Sequence, residues 1–244
     1  AGIDAAFGIF EIPENELAGF MEQVKHEPIS GLSVSAPYKE VVIQYLNEIA
    51  DDAREIGAVN TVVNKGGNLY GYNVDYIGMN KALEEAVGNL AGKKVVVLGA
   101  GGAAKACVYG LLKVGASVAV YNRSKEKALE LAEHFKVVAV CEPSNIPDVG
   151  ADILVQTTSI WMTEPDAKLS DLLPEEILKN FDYVMDIVYK PLETPLIKAA
   201  RKWGIKTITG DKMFLYQAVE QFKLWTGKEA PIEVMRETLK KCFS

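Results

Sequence analysis

The chain has 244 residues, 49% of them hydrophobic and 24% charged, and a net charge of −7. That is the composition of a globular protein with enough apolar side chain for a large core, and its acidic balance argues against a nucleic-acid or anionic-membrane partner. No apolar run approaches the roughly eighteen residues that a membrane helix needs.

Residues 7–12 read as a short strand. Pro13 opens a helix with Leu17, Met21 and Val24 on one face. A second strand is predicted over 31–36, ending in Pro37-Tyr38-Lys39. The helix after it carries Val42, Tyr45, Leu46 and Ile49 at helical spacing. Residues 51–56 form a short helix stopped by Gly57. Strands over 59–64 and 68–74, joined by Lys65-Gly66-Gly67, read as a hairpin. A helix follows over 75–87, and 88–92 reads as a hinge or linker.

From Lys93 the rhythm changes. Strands are predicted at 94–98, 117–121, 136–140, 152–156, 183–188 and 205–208, and helices at 102–114, 124–134, 174–180, 194–203 and 211–226. Such alternation implies a parallel sheet covered on both faces. A last helix, about 231–241, has no strand after it and is expected to return to the first domain. Cys107, Cys141 and Cys242 are odd in number and form no CxxC pair, which fits a reducing cytoplasm. His26 and His134 sit among charged residues near helix ends and read as surface residues, so no metal site is expected.

The strand 94–98 runs into Gly99-Ala100-Gly101-Gly102-Ala103-Ala104 and then a helix. This fits G-x-G-x-x-G/A, with Gly99, Gly101 and Ala104 in the three positions. The first glycine allows the tight turn, the second lets backbone approach a pyrophosphate, and the small third residue lets helix pack close to strand. The helix start offers unpaired N–H groups to phosphates. The alternative is a glycine-rich turn with no ligand.

An NAD site would place an acid at the end of the next strand. Here that strand runs into Asn122-Arg123-Ser124-Lys125-Glu126-Lys127. Arg123 offers a planar fork suited to a 2′-phosphate, and Ser124 and Lys127 add donors, which favours NADP. A solvated helix start with ordinary surface cations is the alternative. Ligands of such sheets lie beyond the strand C-termini, so Thr157-Thr158-Ser159, Ile187-Val188-Tyr189 and Thr209-Gly210 are also placed beside the cofactor.

Several motifs then coincide. Ser33-Val34-Ser35-Ala36-Pro37-Tyr38-Lys39 resembles the N-V-T-x-P-x-K of shikimate dehydrogenases, and Gly57-Ala58-Val59-Asn60-Thr61 matches their G-A-V-N-T. Asn73-Val74-Asp75 resembles N-T-D, and Asn122-Arg123-Ser124 matches N-R-T/S. Residues 186–194 resemble D-x-x-Y-x-P-x-x-T, and 210–227 resemble G-x-x-M-x-x-x-Q followed by F-x-x-W-x-G. The motifs stand in family order across nearly the whole chain.

The resemblance implies an α/β protein with a Rossmann-type, doubly wound parallel sheet over 81–211. A smaller α/β substrate domain from 1–80 and 212–244 would be completed by the C-terminal helices. It implies NADPH-dependent reduction of 3-dehydroshikimate to shikimate, on the route to aromatic amino acids. Lys39 and Asp75 would be the catalytic pair. Ser35, Asn60, Tyr189 and Gln217 would contact substrate. Asp51, Ile187, Gly210 and Met213 would lie near the cofactor, with the glycine turn and 122–127. A cytoplasmic monomer or homodimer with a small-molecule substrate is expected.

The sequence departs from the pattern in places. Ser33 and Ser35 replace Asn and Thr, Val74 replaces Thr, and Tyr76 stands where Gly is usual. Gln156 replaces the Asn of N-x-T-S, and Trp161 replaces a Gly, a large change expected on the nicotinamide side. The family opens with a strand and an S-x-S motif for the substrate carboxylate, and this sequence begins after that point.

Ketone reduction needs a hydride to carbon and a proton to the developing alkoxide. With no motif histidine, the Lys39 ammonium would polarise the carbonyl and donate the proton, oriented by Asp75. A purely structural ion pair between hairpin and helix is the other reading. Competing functions are a quinate-type or methylenetetrahydrofolate-type dehydrogenase, and a catalytically silent NADP-binding protein.

Overall fold

The structure is a computed structural model, and it describes residues 2–136, 139–140, 142, 144 and 146–243. It contains two sheets.

The small sheet comes first in the chain. After a 3-10 turn at Glu14–Glu16, α1 (Leu17–His26) buries Leu17, Met21 and Val24, the face its spacing predicts. Then come β1 (Gly31–Ser33), a 3-10 turn at Val41–Tyr45, β2 (Glu48–Ile49), α2 (Asp51–Ile56), β3 (Thr61–Lys65) and β4 (Asn68–Tyr72). The strand order is β1-β3-β4-β2, with the β3/β4 hairpin antiparallel and β2 parallel to β4.

Two expectations fail here. Residues 7–12 are not a strand: Phe7 is 77% and Ile9 88% exposed. The segment is fastened by Phe7 against Trp225, Phe10 against Phe20 and the Tyr38 hydroxyl donating to the Ile12 carbonyl (2.5 Å). An alternating apolar run becomes a strand only where a neighbour pairs its amides, and no described strand does so. The helix expected after Lys39 is also absent. The β-branched run Val41-Val42-Ile43, a poor helix former, makes only the 3-10 turn, with Val42 buried. Asn47 then docks on β4, its N–H on the Leu69 carbonyl (2.9 Å) and its Oδ1 accepting the Leu69 N–H (2.8 Å). That pairing straightens the chain into β2.

The large sheet follows α3 (Asp75–Val87): β5 (Lys94–Leu98), α4 (Gly102–Lys113), β6 (Ser117–Tyr121), α5 (Lys125–Phe135), β7 (Ala139–Val140), α6 (Ile146–Val149), β8 (Ile153–Gln156), α7 (Ile160–Thr163), β9 (Tyr183–Asp186), α8 (Pro195–Lys202) and β10 (Lys206–Ile208). The six strands are parallel, in the order β10-β9-β8-β5-β6-β7. The expected strand over 136–140 is seen at 139–140; residues 137, 138 and Cys141 lie outside the described residues. The expected helix over 174–180 is a 3-10 helix, Glu175–Asn180.

The apolar strands explain the two-sided cover. In β5, Val95 and Val97 enter the core beneath α3, α4 and α5, while Val96 and Leu98 enter the core beneath α6, α7 and α8. Each such side chain contributes about 1.5–3 kcal/mol on burial. Within the segment 88–92, Leu90 is 1% exposed and packs into that first core. Helix α3 crosses the division drawn at residue 80, for Met79, Ala82 and Leu83 pack into the large sheet's core.

Two helices end the chain, α9 (Gly210–Thr226) and α10 (Ile232–Phe243). Helix α9 starts at the large sheet, packs along α3 and finishes on the small sheet. There the Gln221 side-chain amide donates to Ser33 Oγ and Thr61 Oγ1, both at 3.0 Å, and the Trp225 indole donates to the Val62 carbonyl (2.9 Å).

Candidate active site

Asp75 is the first residue of α3, where the helix dipole favours a carboxylate. Its N–H is held by Asn73 Oδ1 (3.0 Å). Its Oδ2 accepts from Lys39 Nζ (2.7 Å), and its Oδ1 accepts from Asn60 Nδ2 (2.7 Å). Asn60 has one orientation, because its own Oδ1 accepts from the Val74 N–H (2.9 Å) and the Thr61 hydroxyl (2.7 Å). Lys39 lies in the turn after β1, where its carbonyl accepts the Val59 N–H (2.7 Å). The Asp75 side chain is 1% exposed and that of Lys39 18%, so the ammonium is the member of the pair that meets the cleft.

The glycine turn stands directly against this pair. A Cβ placed on Gly102 would lie 3.3 Å from Lys39 Cβ and 3.5 Å from Ala58 Cβ. Gly99 has φ +117°, and a Cβ there would lie 2.5 Å from Thr157 Oγ1, so conformation and space both require glycine. The Thr157 hydroxyl donates to the Leu98 carbonyl (2.7 Å). Gly210 is pressed against the Ile187 and Val188 carbonyls, with no room for a side chain. Tyr189 stacks on Phe214 of α9, ring centroids 4.7 Å apart. Met213 is buried beside it in sequence, and Gln217, one turn further on, is half-buried where α9 meets Gly78 of α3.

Thus Lys39, Asp75, Asn60 and the glycine turn form one cluster. Thr157, Ile187, Gly210 and Met213 gather at the C-terminal end of the large sheet. Ser35 is exposed in the loop after β1, and Asp51 is exposed at the start of α2. At the end of β6, Ser124 Oγ caps α5 by accepting the Lys127 N–H (3.4 Å) and donates to Glu126 Oε2 (2.8 Å). Asn122 Nδ2 closes the same turn on the Ser124 carbonyl (2.9 Å). The Glu126 backbone N–H and the Ser124 hydroxyl hold the Glu126 carboxyl below the usual range. Ser124 is therefore committed to the cap, and Arg123 and Lys127 are exposed cations beside it.

Other features were not foreseen. Asp186, at the end of β9, accepts from Thr194 Oγ1 (2.7 Å), the Val188 N–H (3.0 Å) and Gln156 Nε2 (3.3 Å). Burial still pushes its carboxyl up to about 7, the three hydrogen bonds opposing. His134 is exposed, as expected, but its Nε2 meets the Glu55 carbonyl (2.6 Å), and Lys105 pairs with Glu40 (2.6 Å), so both tie the large sheet's helices to the small unit. Burial pushes the Cys107 thiol well up, which keeps it protonated and unreactive. Trp161 does not line the cleft. Its ring is 1% exposed in the core beneath α7, and its indole donates to the Ala167 carbonyl (3.1 Å).

A parallel sheet whose central strand ends in such a turn, with strand order reversing there, is the dinucleotide-binding class of α/β fold. Comparison with known proteins narrows this. The shikimate dehydrogenase substrate binding domain matches residues 1–62, the shikimate / quinate 5-dehydrogenase family residues 81–165, and the shikimate 5'-dehydrogenase C-terminal domain residues 212–240. The shikimate dehydrogenase (NADP(+)) of Aquifex aeolicus is 39% identical over 240 residues, covering 98% of this chain and 87% of the relative. That of Pyrococcus abyssi is 44% identical over 236 residues, covering 96% and 86%. The crystal structure of the Thermus thermophilus enzyme in complex with NADP(H) and shikimate superposes with a TM-score of 0.84 at 33% identity, covering 94% of this chain and 85% of that one. The chain belongs to the shikimate dehydrogenase family.

Proposed function

We propose that this chain reduces 3-dehydroshikimate to shikimate with NADPH, Lys39 giving the proton. The observation that carries this reading is the Lys39–Asp75–Asn60 cluster set against the Gly102 turn. The residues fit the cofactor: a Cβ added to Gly101 would meet nothing within 4 Å, which leaves open space over the turn for a pyrophosphate. The first amides of α4 have no intrahelical partner and face that space. Bound there, NADPH supplies the hydride.

The chain's own residues do the rest. Gly99, whose N–H donates to the Tyr121 carbonyl (2.8 Å), shapes the turn; the backbone N–H groups of Ala100, Gly101, Gly102 and Ala103 would hold the phosphates, and Arg123 with Lys127 would hold the 2′-phosphate. Thr157, Thr158, Ser159, Ile187, Gly210 and Met213 frame the nicotinamide end. Asp75 keeps the Lys39 ammonium aimed, and Lys39 Nζ gives its proton to the alkoxide oxygen as it forms. Asn60, Ser35, Tyr189 and Gln217 supply neutral donors and acceptors that suit a polyhydroxylated ring. NADP-dependent dehydrogenation of shikimate is the same chemistry in reverse, and its progress is read from absorbance of the reduced nicotinamide.

The Lys39→Met variant tests the assignment. It should lower kcat roughly 10²–10⁴-fold, the usual worth of positioned acid–base help, with NADP affinity unchanged. A normal kcat would refute the proton-donor role. Because the family description of residues 81–165 names both substrates, quinate belongs in the same assay. A higher kcat/KM on quinate would shift the reading to a quinate dehydrogenase. NADP binding without turnover of either would make the chain a silent NADP binder.

A further inference from the structure

Gln156 and Asp186 end neighbouring parallel strands and lie in register. Both are 0% exposed. A buried carboxylate is unusual enough to need a reason, and among the described residues this one faces no cation: its partners are an amide, a hydroxyl and a backbone N–H. The arrangement of those partners supplies the reason.

The Gln156 side chain grips the next turn at both ends. Its Nε2 donates to the Thr158 carbonyl (3.0 Å) and its Oε1 accepts the Thr158 N–H. The same Nε2 donates to Asp186 Oδ1. Asp186 Oδ1 also accepts the Val188 N–H, and Oδ2 accepts Thr194 Oγ1. One amide and one carboxylate thus fasten the segment 157–159 to the segment 187–194. On one flank Thr157 touches Gly99, the first residue of the glycine turn. On the other, Val188 touches Gly210, the first residue of α9.

We infer that Asp186 is a positioning residue for the cofactor, which through Gln156 fixes the separation of the two segments that frame the nicotinamide end. The inference rests on the proposed NADP site, and it deepens that reading by assigning the spacing of that site to a buried pair that touches no ligand. What matters is the acceptor at the Oδ1 position, which both Gln156 and Val188 use, and not the negative charge. An asparagine there keeps its amide oxygen toward Gln156 and Val188 and turns its NH₂ to Thr194 Oγ1. A leucine fills the volume and removes every link.

The test uses three variants of the full chain, Asp186→Leu, Gln156→Leu and Asp186→Asn, titrated calorimetrically with NADP alone and assayed at steady state. Both leucine variants should bind NADP about tenfold or more weakly and raise its KM; in Gln156→Leu, which leaves the Val188 and Thr194 bonds on either side of Tyr189 in place, the KM for shikimate should stay within about twofold. Asp186→Asn should bind NADP within about twofold of the unsubstituted chain, because its amide oxygen replaces the lost acceptor. A purely structural role would lower the thermal midpoint and leave the NADP affinity of the folded protein unmoved. Should Asp186→Leu fail to fold, Gln156→Leu, which leaves the Val188 and Thr194 bonds in place, carries the same expectation. An unsubstituted chain that does not bind NADP would overturn the functional reading. An unsubstituted chain that binds it, beside a folded leucine variant that binds it equally well, would overturn this inference alone. A loss in Asp186→Asn as large as in Asp186→Leu would overturn it too, by making the charge the active feature.

Discussion

Replacing Asp75 by Asn changes one atom and leaves the cluster no satisfactory arrangement. Asp75 accepts two hydrogen bonds, one from Lys39 Nζ and one from Asn60 Nδ2. An asparagine has one acceptor and one donor there, so one of the two donors must face an NH₂ group. Asn60 cannot turn over to relieve this, because its oxygen already accepts from Val74 and Thr61. Lys39, the more exposed partner, is free to swing into solvent. The variant should therefore keep the Asn60 bond and lose the Lys39 bond. A hydrogen bond between charged partners contributes about 1.5–3 kcal/mol, which corresponds to roughly ten- to 150-fold in kcat through misplacement of the ammonium alone. The assay is NADP reduction with saturating shikimate, beside calorimetric titration with NADP. The expected result is a kcat reduced by at least that factor and an NADP affinity unchanged, since no atom of the turn at 99–102 has moved. A kcat within twofold of the unsubstituted chain would refute the premise that Asp75 aims Lys39. An equal fall in NADP affinity would show instead that the substitution had disturbed the large sheet.

Two further outcomes follow from charge. Arg123→Ala should raise the KM for NADP well above any change for NAD, by up to the 1.5–3 kcal/mol of a charge-assisted phosphate contact and less at high salt, because Arg123 is exposed; equal effects on the two cofactors, measured in parallel steady-state assays, would remove the 2′-phosphate from Arg123. Asp186 gives a pH signature: its folded carboxyl titrates at about 7 against an ordinary 3.8, so the folded chain holds the extra proton between those values and stability falls as pH rises through that window, then levels. Asp186→Asn cannot ionise and should gain stability relative to the unsubstituted chain across the same window, as read from urea midpoints; a difference independent of pH would contradict the raised carboxyl.

What the sequence discloses and what it conceals divide along the range of the interactions. The turn at Gly99 is local: a β-branched run, a residue needing positive φ and a helix start sit within a dozen residues, and every element reads correctly. The alternation of the large sheet is legible for the same reason, since the interiors of its central strands are apolar and buried, with polar residues such as Lys94, Ser117, Gln156 and Asp186 kept to the strand ends. The small unit misleads because its elements depend on partners far away in sequence. Residues 7–12 have the pattern of a strand but no paired neighbour, and the apolar spacing over 42–49 suits a helix until Asn47 captures Leu69 from 22 positions on. Within the candidate site, Lys39 and Asp75 were found through motifs; periodicity alone places them on separate elements. Gln156 and Asp186 each stand in a recognisable motif, but their link, like the His134 contact with Glu55, has no sequence signal, because each is a register or docking fact that exists only after the sheets have formed.

The clamp by Gln221 has a consequence for how the protein is made. That residue reaches back 188 positions to Ser33. During synthesis the small sheet's strands therefore emerge early, while the helix that seals them leaves the ribosome after all six strands of the large sheet. For that interval Ser33, Thr61 and the Val62 carbonyl lack their α9 partners, and the large sheet's core lacks Met213. Contacts of such separation close slowly, because the whole intervening chain must be ordered before they form. Nascent chains halted before residue 221 leave those groups uncovered, which is the state a chaperone recognises.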